Sequence, residues 1–122
     1  LKVEYERFRK RSDVLDQFRV DVRRQIESLY YSTWLLFKDV RDARINIREE
    51  IAEIAVEISH YVDAYRAHGG KKRIAEALRR QLREVVQLCR LQSGESERAW
   101  LERVHDAMER KLRSLVELSS KI

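Results

Sequence analysis

The segment that decides the fold covers residues 47–65 and reads IREEIAEIAVEISHYVDAY. Its large apolar side chains recur in alternating steps of four and three residues, at Ile47, Ile51, Ile54, Ile58, Tyr61 and Tyr65. That spacing is typical of a coiled-coil seam, because it aligns these side chains on one helix face and leaves the charged residues on the other. The segment therefore predicts an amphipathic helix that buries one face against other helices.

The same helical spacing of apolar residues continues on both sides of this segment. Glycine turns at Gly69–Gly70 and at Gly94 predict two helix boundaries, because glycine ends a helix in the left-handed conformation without steric cost. A third boundary is predicted at Asn46, which begins a capping box with Glu49. Without it, the first two helices would be one continuous helix. The predicted helices cover about residues 12–42, 46–67, 71–92 and 96–121.

The composition also favours an all-α fold. The 122 residues include no proline and 3 glycines, whereas an all-β chain needs many tight turns. Hydrophobic residues make up 43% and charged residues 39%, which is too apolar for wholesale disorder. No stretch approaches the roughly 18 apolar residues of a transmembrane helix. We therefore expect one domain over residues 1–122, an antiparallel helical bundle of three to four helices with coiled-coil character.

Cysteine content and the start of the chain bear on where it works. Cys89 is the only cysteine and cannot form an internal disulfide, which favours a reducing compartment. The chain begins at Leu1 and shows no basic-then-apolar leader of a signal peptide. We expect an intracellular domain, cytoplasmic or nuclear, that is a fragment of a larger protein.

Residues 29–37, LYYSTWLLF, contain four of the ten aromatic side chains of the protein. At 100° per residue, Tyr31, Trp34 and Leu35 point away from the apolar stripe of their helix. A helix that is apolar on nearly all sides is either central in its bundle or covered by another chain. Since tyrosine and tryptophan are favoured at interfaces, we predict a partner-binding surface at these three residues, for a protein partner or for a homodimer.

Charge is segregated along the sequence. Residues 67–92 contain seven basic and two acidic residues, whereas residues 25–66 contain five basic and eight acidic residues. Six basic side chains lie opposite the apolar stripe of Ile74, Leu78, Leu82, Val85 and Cys89, namely Lys72, Arg73, Arg79, Arg80, Arg83 and Arg90. Such a face suits closely spaced negative charge, as on nucleic acid, an acidic tubulin-like surface or anionic lipid headgroups. The alternative is a solvated face that pairs with the acidic second helix.

Two Glu-x-x-His motifs have the spacing found in di-iron four-helix bundles, where a lone glutamate from each remaining helix completes the site. The candidate ligands are Glu57 with His60, Glu102 with His105, and the single residues Glu27 and Glu84. On a helical wheel both motifs are displaced from the apolar face, whereas a buried metal needs ligands that point inward. We therefore expect no metal site.

Catalytic chemistry has little support in the sequence. Cys89 lies on an apolar stripe and is expected to be an inert core thiol. The Gly69–Gly70 pair lacks the spacing of a phosphate-binding loop. We expect no catalytic residue and no cofactor. The leading hypothesis is a non-enzymatic protein–protein interaction or oligomerisation module, a scaffold or adaptor; the alternative is binding of an anionic partner through the basic helix at residues 71–90.

Overall fold

The structure is a computed structural model that describes residues 2–38 and 47–122, with side chains at residues 13–33 and from residue 47 onward. It contains four helices in these ranges: α1 (Lys2–Lys38), α2 (Ile47–Ala67), α3 (Lys72–Leu88) and α4 (Glu97–Ser119). No strand occurs in the described ranges, which confirms the all-α prediction. None of the helices described carries a stretch long and apolar enough to span a bilayer.

The four helices pack in a closed ring around one shared core. Both α1 and α3 pack against α2 and against α4. Because α1 and α2 lie side by side, they are separate helices, and the alternative of one continuous helix is wrong. The predicted capping box begins at Asn46, which lies outside the described residues.

The buried face of α2 is broader than the predicted seam. Four of the six predicted positions are buried, but Ile54 and Tyr61 are only half-buried, while Ala55 and Val62 are completely buried. The reason is that α2 packs against two helices, so its apolar arc is shared between two contacts instead of one. In α3 the predicted stripe is buried except for Ile74, which is half-buried beside the fully buried Ala75.

Two predicted helix ends were wrong. The first helix already begins at Lys2, not near residue 12, because residues 2–11 are rich in lysine, arginine and glutamate, which favour helix without an apolar stripe. The third helix ends at Leu88, not near residue 92. Its last carbonyl groups are bonded by side chains from other helices, so they do not require a further helical turn.

Trp100 and Arg48 provide those bonds at the end of α3. The fully buried Trp100 donates its indole N–H to the carbonyl oxygen of Leu88 over 2.6 Å. Arg48 at the start of α2 donates to the carbonyl oxygen of Cys89 over 2.9 Å and to Glu97 Oε1 over 3.3 Å. The start of α2, the end of α3 and the start of α4 are therefore tied together.

The connection between α3 and α4 is held by its own side chains. Ser96 accepts a hydrogen bond from the backbone N–H of Ala99 over 3.1 Å and so caps the start of α4. Glu95 accepts two hydrogen bonds from the guanidinium of Arg103, over 2.7 and 2.8 Å, and one from the backbone N–H of Gln92. The Arg103 bonds hold the pKa of the Glu95 carboxyl below its usual value.

The turn between α2 and α3 is built around the ring of Tyr65. This ring is completely buried, and its hydroxyl oxygen accepts the backbone N–H of Lys71 over 2.8 Å. Gly69 has a φ of 96°, in the left-handed region that glycine favours. A Cβ atom at position 70 would lie 2.5 Å from the Tyr65 ring, so only glycine fits there without a shift. Both glycines are thus required for the close return of the chain.

The Gly70→Ala substitution tests this turn. We expect it to lower the free energy of unfolding by about 1–3 kcal/mol, the usual cost of forcing an extra methyl group into a packed site. Urea unfolding followed by circular dichroism measures this. In a Tyr65→Ala background the ring is gone, and the same substitution should cost much less. Strictly additive effects of the two substitutions would contradict the contact.

Candidate interaction surfaces

The outer face of α1 exposes apolar side chains in its described part. Tyr31 is 66% exposed and contacts Tyr30 edge to face, with 6.1 Å between ring centroids. Val20 is 44% exposed and lies eleven residues earlier, which is three helical turns along the same face. The predicted outward placement of Tyr31 is confirmed. Trp34 and Leu35 belong to the helical backbone of α1, but their side chains lie outside the described residues.

All six residues of the predicted basic face are exposed: Lys72, Arg73, Arg79, Arg80 and Arg83 on α3, and Arg90 two residues past its end. Among the described residues, Arg79 is the one of the six that forms an ion pair, with 3.0 Å between its Nε and Oδ1 of Asp63 on α2. The pairing with the acidic second helix therefore occurs at one position. The other five cationic groups face solvent in the described structure.

The outer face of α2 carries the opposite charge. Four glutamates in its first three turns are exposed: Glu49, Glu50, Glu53 and Glu57. Near the other end of the helix, Arg66 forms an ion pair with Glu76 of α3 over 3.6 Å. Since α2 and α3 are packed neighbours, an acidic surface and a basic surface lie side by side on the molecule.

A shallow groove separates these two surfaces. Val56 and Ser59 of α2 and Val86, Arg79 and Arg83 of α3 line it, and its volume is about 210 Å³. Val56 is 44% exposed and forms the apolar part of the groove together with Val86. The groove thus has an apolar floor with cations along one side. Sequence reasoning identified the cations but missed Val56, because an isolated valine on a helix is an ordinary observation.

A second groove lies between α3 and α4, with a volume of about 360 Å³. Its lining includes Gln81, Ala107, Arg110 and Ser114, together with Lys111, which forms an ion pair with Glu84 across the two helices. Within the described residues, the side-chain oxygen of Gln81 is buried without a hydrogen-bond partner. The sequence pattern gave no sign of this groove, since it depends on how α3 and α4 pack against each other.

The Glu-x-x-His motifs lie on the outside of the structure. Glu57, His60 and Glu102 are exposed, as is Glu27, so these groups do not meet in the core. Another combination does come together on α4: ligand atoms of His105, Asp106 and Glu109 lie within 4.8 Å of one another. Glu109 also accepts a hydrogen bond from Arg113 over 2.8 Å, so a cation already neutralises this carboxylate.

Cys89 lies at the end of α3, within the core. Its side chain is 2% exposed, and burial raises the pKa of its thiol to about 12, although the nearby Arg48 charge acts in the opposite direction. The thiol is therefore protonated and covered at neutral pH. This agrees with the expected position of Cys89 on the apolar stripe.

No protein family, no curated protein sequence and no solved structure matches this chain.

Cys89 should resist thiol reagents in the folded protein. We expect negligible reaction with 5,5′-dithiobis(2-nitrobenzoate) at pH 8 in the native state and complete reaction in guanidinium chloride, because only unfolding exposes the thiol. Ser93→Cys, at an exposed turn position, serves as the reactive control. Because folding raises the pKa above 9.0, stability should also fall as the pH rises from about 9 towards 12. Equal native rates for both thiols would contradict this placement.

Proposed function

We propose that this chain is a non-enzymatic protein–protein interaction module, an antiparallel four-helix bundle that works inside the cell as a scaffold or adaptor. In this proposal the inner helix faces fold the domain, and the outer face of α1 docks a protein partner. The charged faces of α2 and α3 then set the orientation and choice of partners. The buried, unpaired thiol of Cys89 supports a reducing location.

Cross-helix contacts support the antiparallel arrangement. Along α2 and α3, Asp63 pairs with Arg79 and Arg66 pairs with Glu76, so the residue number rises in one helix as it falls in the other. The short connection at residues 68–71 favours the same arrangement. Coiled-coil-like packing is supported by the spacing of the buried α2 residues in steps of three and four: Ile47, Ile51, Ala55, Ile58, Val62 and Tyr65.

The observation that carries the proposal is the exposure of Tyr31. A tyrosine that stands 66% exposed on a well-packed helix buries a large apolar area when a partner covers it. Val20 extends the same face by three turns, and the sequence adds Trp34 and Leu35 one turn beyond Tyr31. Large aromatic side chains of this kind are the usual anchors of protein interfaces.

Photo-crosslinking from α1 tests the docking face. With p-benzoylphenylalanine in place of Tyr31, irradiation of cells that produce the protein should give discrete crosslinked species, because the partner covers this position. The Trp34→Ala/Leu35→Ala double substitution should abolish these species and leave the helix content by circular dichroism largely intact.

Glu102, exposed on α4, provides the matched control position for the photoreactive residue. Crosslinking of equal yield from positions 31 and 102 would speak against a specific face on α1. Unfolding of the double variant would mean that Trp34 and Leu35 are ordinary core residues, and the docking face would then have to be reassigned.

Binding of an anionic partner through α3 is the second candidate function. It is favoured by the five side chains of the basic face, four on α3 and Arg90 just past its end, that have no ion pair among the described residues. Arg79→Glu/Arg80→Glu/Arg83→Glu should then abolish binding to duplex DNA, to tubulin or to phosphatidylserine vesicles, whichever of these the protein binds. Titrations at several salt concentrations measure this, since phosphate contacts release counterions and weaken steeply with salt. Salt-independent binding would contradict this function.

A further inference from the structure

We propose that a second copy of this chain docks across the α2–α3 face. This face is defined by Glu53, Val56 and Glu57 on α2, by Arg83 and Val86 on α3, and by Arg90, two residues past the end of α3. The two copies are related by a two-fold axis parallel to the helices, so α2 of each copy lies over α3 of the other. The inference goes beyond the α1 docking face and does not depend on it.

The ion pairs between α2 and α3 fix which residues lie at the same height. Residue 63 is level with residue 79, and residue 66 is level with residue 76. By the same progression Val56 is level with Val86, and both line the groove. Continued to the end of α3, the same progression brings Glu53 to the level of residue 89, and Arg90 is the next residue in the chain.

Rotation about an axis parallel to the helices leaves the position of every residue along the helix axes unchanged. It exchanges the sides of the face on which α2 and α3 lie. The partner copy's α2 therefore comes to lie over α3, with its Val56 over Val86 and its acidic residues at the levels of Arg83 and Arg90. The same contacts recur in the other half, as two-fold symmetry requires. Each half of the interface then has an apolar centre. On both sides of this centre, glutamates of one copy face arginines of the other.

Charge selects this axis over the other two-fold arrangement. An axis perpendicular to the helices would place α2 on α2 and α3 on α3. The four exposed glutamates of one α2 would then face those of the other, and the arginines of the two α3 helices would face each other. Like charges opposite one another destabilise an interface, whereas the parallel axis brings Glu53 and Glu57 of one copy near Arg90 and Arg83 of the other.

The size of the face indicates a weak dimer. The 17 residues of α3 span about 26 Å, and two helices packed about 10 Å apart present a surface about 20 Å wide. The area of such a face lies at the lower end of the range that specific protein interfaces bury. We therefore expect a monomer–dimer equilibrium at micromolar concentrations, in which charge contributes much of the specificity.

Charge reversal in pairs tests the geometry. Arg83→Glu/Arg90→Glu makes the whole face acidic, and Glu53→Arg/Glu57→Arg makes it basic, so each variant alone should remain monomeric by light scattering. An equimolar mixture should form a heterodimer, because both halves of the interface are then attractive. The chain that carries all four substitutions should regain the homodimer. We expect each of the two double variants, on its own, to have a dimer dissociation constant at least tenfold higher than that of the unmodified chain.

Arg98→Glu/Arg110→Glu on α4 is the matched control, with the same change in net charge at exposed positions outside the face. It should dimerise like the unmodified chain.

A mixture that stays monomeric, or a reversed variant that dimerises normally, overturns the inference. If instead Trp34→Ala/Leu35→Ala removes the dimer and the reversals do not, the copies meet through α1, and the inference fails while the proposed function stands. If one reversal unfolds the chain by circular dichroism, the other reversal and the fourfold variant decide.

Discussion

The arrangement of α2 and α3 depends on the ring of Tyr65. The ring is completely buried, its hydroxyl oxygen accepts the backbone N–H of Lys71, and it occupies the space that a Cβ atom at residue 70 would need. These contacts fix where α3 begins relative to the end of α2. They therefore set the level at which Asp63 meets Arg79 and, farther along, the position of the groove between the two helices. At the opposite end, the indole of Trp100 closes α3.

Folding uses the inward faces of the helices, whereas the outward faces are available for binding. The inward faces bring apolar side chains of all four helices into one core, and that core includes the only cysteine. The outward faces differ from one helix to the next: α1 exposes Tyr31, α2 is acidic and α3 is basic. A dimer through α2 and α3 would leave both α1 faces open. Two docking faces on one particle bind linked partners far more tightly than a single face does.

Sequence periodicity could predict the helices, and the glycine turns could predict where α2 and α3 separate. Ile54 and Tyr61 were assigned to the core because a seam between two helices was assumed, whereas α2 contacts two neighbours and buries Ala55 and Val62. Exposure of Tyr31 and of the α3 cations also followed from the helical wheel. The contact of Asp63 with Arg79 and the groove at Val56 could not be predicted from the sequence. Both depend on which helices are neighbours and on their relative shift along the helix axes.

The most direct test of the central claim is a disulfide crosslink between two different copies. In a Cys89→Ser background, one chain carries Val56→Cys and the other carries Val86→Cys. Mild oxidation of the equimolar mixture should give a covalent dimer in high yield, and neither chain alone should, because α2 of one copy lies over α3 of the other. Efficient crosslinking of the Val56→Cys chain with itself would place α2 on α2 and contradict the account, as would the absence of any crosslink in the mixture.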